Sequence, residues 1–115
     1  GRKFTIPYGL YRCHGFISAS FATQTGFNED DLNLFWKALL EMFEHDRSAA
    51  RGQMSTRKLI VFKHDSNMGS AHAHTLFDMV KTGAKANPVR DFSDYEISVP
   101  SQSDMPQGVT LEIKL

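Results

Sequence analysis

The chain has 115 residues, 41% hydrophobic and 23% charged, the makeup of at most one ordinary soluble globular domain rather than a disordered tail. Thirteen Lys/Arg balance thirteen Asp/Glu, so no global basic excess exists and any grip on a polyanion must come from a local patch. The single cysteine, Cys13, excludes an intrachain disulfide and a multi-cysteine zinc site and fits a reducing cytoplasm. No apolar run approaches the roughly 20 residues that span a bilayer, and the first residues do not read as a secretory signal.

In chain order, residues 8–20 alternate as a strand. Tyr11, Cys13, Ile17 and Ala19 share one face; Leu10, Arg12, His14 and Phe16 share the other. Thr23 to Phe27, with Gly26, reads as a turn. Asn28 then offers an N-cap, and Glu29, Asp30 and Asp31 place negative charge on a first helical turn, where the dipole favours it. Phe27 and Leu32 have the spacing of a hydrophobic staple. Leu32, Phe35, Trp36, Leu39, Leu40 and Phe43 recur at helical spacing, which predicts a helix from about residue 29 to the 45–50 region, ending before Gly52.

Lys58 to His64 holds four consecutive apolar residues, Leu59 to Phe62, the pattern of a strand covered on both faces. Asp65 to Ala73 reads as a polar loop, and 75–81 as a short helix or a strand. A polar stretch from Thr82 to Asp91 precedes a strand at Tyr95 to Val99. In the last run Val109, Leu111, Ile113 and Leu115 alternate with Thr110, Glu112 and Lys114. The final two strands are expected to pair as a hairpin with a long loop. The expected organisation is one domain or domain fragment: a βαβ unit at 8–64, a polar loop region at 65–91 and a hairpin at 92–115.

Charge is sorted along the chain. Asn28 to Asp46 carries six acidic residues against Lys37 alone, whereas Arg47 to His64 carries five Lys/Arg and no acid. Cations at a helix C-terminus complement its dipole, and two arginines suffice for that. The run continues through Arg57, Lys58 and Lys63, which points to phosphate binding. Arg12 and His14 are hard to bury without partners, which favours a binding face for the first strand. His64, Asp65, His72 and His74 are potential metal ligands, but their spacing matches no recognised zinc motif and they read as a polar surface loop. A small metal-dependent hydrolase using His64, His72 and His74 is the enzymatic alternative. Nucleophilic catalysis has no support, because Cys13 and His14 fall on opposite faces of the strand. No cofactor is expected.

Several ordered stretches together resemble a known family. They are Gly1-Arg2-Lys3, Ile6 to Arg12, His14 to Ala19, Thr25-Gly26-Phe27, Met42 to Gly52, Arg57 to Ser66, Ala73-His74, Leu76-Phe77 and Phe92 to Tyr95. The chain resembles the C-terminal part of the backbone subunit of the type I-C CRISPR Cascade surveillance complex. Such subunits are repeat-associated mysterious proteins that line up along CRISPR RNA. The loop Asn67 to His72 departs from the family pattern, which has a proline near position 72.

The resemblance implies an α+β fold: a partial RNA-recognition-like (ferredoxin-like) βαβ half plus a C-terminal β-hairpin, lacking the family's N-terminal half. It also implies a non-catalytic, cytoplasmic subunit. Its partners would be CRISPR RNA, other Cascade subunits, copies of the same family and, indirectly, target DNA, with no membrane. The expected RNA-binding residues are Arg47, Arg51, Arg57 and Lys58, with Arg12, Lys63 and His64 as further candidates. In that fold the absent opening strand would leave a gap between the two parallel strands of the βαβ unit. The alternative is a truncated homologue that docks on the full subunit and caps or inhibits assembly.

Overall fold

The computed structural model describes residues 6–45 and 53–115. Its elements are α1 (Ala19–Thr25), α2 (Glu29–His45), β1 (Ile60–His64), α3 (Ala73–Asp78), β2 (Lys81–Ala84), β3 (Tyr95–Ser98) and β4 (Val109–Ile113), with 3-10 turns at Phe92–Asp94 and Gln102–Asp104. The class is α+β, with two small antiparallel sheets.

α2 forms where the sequence places it. The Asn28 side chain accepts the Asp31 N–H at 3.0 Å, and the Asp31 carboxylate accepts the Asn28 N–H at 3.1 Å. This reciprocal cap satisfies two of the donors that every helix start leaves unpaired. The chain then returns across the helix, and the Thr56 hydroxyl donates 2.7 Å to the Leu39 carbonyl.

The expected strand at 8–20 is not formed. Residues 9–18 carry no regular structure, and Ala19 begins α1, which ends at Gly26 with φ 77°. A strand is a pairing as much as a pattern, and no strand among the described residues lies alongside this segment. Side chains fasten it instead, chiefly to α3. The stretch from Thr82 is also corrected at its start, because Lys81–Ala84 is strand β2.

The late strands take different partners from those expected. β2 pairs antiparallel with β3, Lys81 opposite Ser98 and Ala84 opposite Tyr95, and these two form the C-terminal hairpin. β4 pairs with β1, Ile60 opposite Ile113 and His64 opposite Val109. The β1–β4 ladder closes at one end with the Asp65 N–H donating 2.8 Å to the Gly108 carbonyl. Gly108 sits at φ 85°, and a Cβ there would meet the Ser70 hydroxyl oxygen at 2.8 Å, so both backbone and space demand glycine.

The two sheet edges are treated differently. The Gln102 carboxamide donates 3.0 Å to the Val109 carbonyl and accepts the Leu111 N–H at 2.7 Å, which occupies the outer edge of β4 as a neighbouring peptide would. The other edge of β1 is open. Leu59 and Asp65 bond toward β4, so the N–H and C=O groups of Ile60, Phe62 and His64 point away from it, and no backbone group meets them among the described residues.

Among the described residues the buried hydrophobic core is Leu76, Val80 and Val109, around α3 and the start of β4, with Leu76 fully buried. Much of the α2 stripe stays half covered. Between segment 6–19, α2 and β1 lies a groove of about 2460 Å³, lined by Trp36, Leu39 and Phe43 among others. Small-molecule pockets span about 300–1,000 Å³, so this groove is larger than a typical small-molecule site. The radius of gyration, 17.0 Å, exceeds the roughly 13 Å of a packed domain of this length.

Candidate nucleic-acid interface

The basic run reaches β1 through Arg57 and Lys58, both exposed. Arg57 has a defined seat. Its guanidinium lies 4.1 Å above the ring of Phe92, at the start of the 3-10 turn. The turn is shaped by carboxylates. Asp94 accepts the N–H groups of Arg90 (3.0 Å) and Asp91 (3.2 Å), and Asp91 accepts the Ser93 hydroxyl at 2.6 Å. The Ser93 bonds, led by its hydroxyl, then the Phe92 N–H and the charge of Arg57, hold the Asp91 carboxyl below the ordinary value of 3.8.

The side chains of Lys58 and Lys63 form no ion pair or hydrogen bond among the described residues. Lys63 and His64 are neighbours on β1 and face opposite sides of the sheet, so they do not form one patch. Lys63 shares its face with Thr110 and Glu112, and Glu112 is bridged to Lys114 at 3.2 Å.

His64 has a structural task. Its Nδ1 accepts the Ser70 N–H at 2.9 Å, which anchors the 65–70 loop to the end of β1. Arg12 is likewise engaged, its guanidinium bonded to the carbonyls of Phe77 and Val80. Arg47 and Arg51 lie outside the described residues.

The residues expected in one patch are therefore divided. Arg57 and Lys58 stand together, Lys63 lies further along β1, and Arg12 and His64 make hydrogen bonds within the chain. Sequence reasoning missed Phe92 as the seat of Arg57. It also missed Lys81, Lys85 and Arg90, all exposed, which recur from Met79 to Arg90 without an acid. The charge logic applied to 47–64 would have found these three.

Of the candidate metal ligands, the His72 and His74 rings stack at 5.6 Å, while His64 is occupied by Ser70. Among the described residues no three His, Cys, Asp or Glu side chains gather as a metal site. No helix among the described residues is long and apolar enough to cross a membrane.

In this α+β chain two exposed cations, Arg57 and Lys58, stand at the mouth of a strand, and the Arg57 guanidinium lies over an aromatic ring. Residues 1–100 match the family model of CRISPR-associated protein Cas7, and the chain belongs to that family, whose members are RNA-binding backbone subunits and generally non-catalytic. No curated protein gives a significant match.

Proposed function

We propose that this chain is the C-terminal part of a type I-C Cascade backbone subunit, working in the cytoplasm as a non-catalytic holder of CRISPR RNA. Arg57 and Lys58, with Arg47 and Arg51 from the same run, contact the sugar–phosphate chain and leave the bases free to pair with target DNA. The observation that carries this reading is the seat of Arg57. A guanidinium stacked on Phe92 is oriented yet keeps donors for phosphate oxygens, whereas a carboxylate fork would consume them. Lys63, and Lys81, Lys85 and Arg90 on and after β2, extend the cationic surface. RNA binding measured across a salt series tests the reading, because each phosphate contact on a single strand adds about 0.7 to the log–log slope.

A second reading draws on the open edge of β1 and the groove beside it. A truncated homologue with such an edge would accept a strand from the full-length subunit and cap or inhibit assembly. Native mass spectrometry of the chain mixed with an intact complex separates the two. A substoichiometric extra chain, or a shortened assembly, favours docking; no association leaves the first reading alone.

A further inference from the structure

Arg12 and His14 were expected on a binding face, and their contacts assign them to something else. The Arg12 Nη1 donates 2.6 Å to the Val80 carbonyl and Nη2 donates 2.5 Å to the Phe77 carbonyl. Phe77 lies in the last turn of α3 and Val80 just beyond it; the Phe77 carbonyl also accepts the Val80 N–H at 3.1 Å, so the guanidinium shares that acceptor. The third donor, Nε, reaches His14 Nε2 at 2.9 Å. The His14 ring in turn lies nearly parallel to the Phe77 ring, 12° and 4.0 Å between centroids, with Phe16 edge-on at 5.6 Å. Four contacts from three residues thus fasten segment 6–18 across the end of α3.

The direction of the Arg12–His14 bond has a chemical consequence. A guanidinium only donates, so His14 Nε2 must offer its lone pair, and the ring must be neutral with its proton on Nδ1. Adding a proton at Nε2 turns the acceptor into a donor aimed at a donor. It also places a second positive charge against the guanidinium. Stacking of a cation on Phe77 returns part of that loss, but it acts on the ring face and leaves the opposed N–H groups in place.

We propose that Arg12 and His14 form a protonation-sensitive latch: Arg12 is a positioning residue, not a phosphate ligand, and the latch holds segment 6–18 in place only while His14 is neutral. Because that segment lines the groove opposite α2 and β1, opening the latch frees one wall of the groove. Among the described residues Arg12 is the ionisable group bonded to the imidazole. α3 carries Asp78 and His74 beside Phe77, and β1 carries Lys63 and His64, but none of these bonds to the His14 ring.

Long-range proton–nitrogen NMR of the imidazoles in the full chain tests this directly. At pH 8 the expected result is the Nδ1–H tautomer of His14 with strong cross-relaxation between the His14 and Phe77 rings. By pH 5 the ring contact is lost. Arg12→Lys keeps the charge but not the fork, and should lose the ring contact at both pH values. His14→Gln offers an uncharged acceptor, and its contact with Phe77 should be the same at both. An Nε2–H tautomer at pH 8, or a ring contact unchanged through the titration, overturns the proposal. So does an undisturbed contact in Arg12→Lys.

Discussion

The guanidinium of Arg57 rests 4.1 Å from the ring centre of Phe92, joining the mouth of β1 to the turn that opens β3. Two segments distant in sequence are thereby tied through one cation and one ring. The tie gives Arg57 a fixed direction that a solvated lysine would lack.

Replacing Phe92 by Leu should remove the aromatic face and keep most of the apolar bulk. At an exposed site the loss is about 0.5–1 kcal/mol. A urea midpoint shift of that size is the expected measurement. RNA affinity should fall as well, by less than in Arg57→Ala, since the charge remains but is less well placed.

The two 3-10 turns should be sensitive to acid. Asp91 and Asp104 are both held below their ordinary value of 3.8, Asp91 mainly by the Ser93 hydroxyl and Asp104 mainly by the Ser101 N–H. A carboxylate with a depressed native pKa contributes stability that is fully present above the unfolded value and is lost as pH falls through the lower native one. Thermal stability should therefore show no contribution from these groups to any change between pH 7 and 5, and a decline below about pH 4. Asp91→Asn should be less stable at pH 7 and show a shallower decline in acid.

How much of this was legible follows what each element depends on. α2 carries its own signals, the Asn28 cap and the Leu32–Phe43 stripe, and β4 carries a clean alternation, so both appear where expected. The run at 8–20 alternates just as cleanly, but strand formation needs a partner, and Arg12, His14 and Phe16 found α3 instead. α1 is bracketed by Ser18 and Gly26, a start and stop that the alternation masked. β2 had no apolar signal at all, because all four of its residues are exposed and backbone pairing with β3 alone defines it. Charge clustering singled out Arg57 and Lys58, which the fold leaves exposed. It could not show that Arg12 bonds the Phe77 and Val80 carbonyls, that His64 bonds Ser70 or that Phe92 sits under Arg57, since these are tertiary facts.

Gln102 blocks one sheet edge with a single amide, and its removal should do two things. Gln102→Ala forfeits two hydrogen bonds, about 1–3 kcal/mol together. It also uncovers the outer edge of β4, which then resembles an unprotected strand. Denaturation in urea should show the first effect, and concentration-dependent light scattering the second. Unchanged scattering would mean that the edge is guarded by something other than this side chain.

The central claim is that Arg57 and Lys58 hold RNA through its phosphates. The most direct measurement is the salt dependence of single-stranded RNA affinity for the wild-type chain and for the double variant Arg57→Glu/Lys58→Glu. Two lost phosphate contacts should lower the slope of log affinity against log salt by about 1.4, whatever the RNA sequence. A double variant with the wild-type slope would contradict the account, because the strand mouth would then carry none of the phosphate contact.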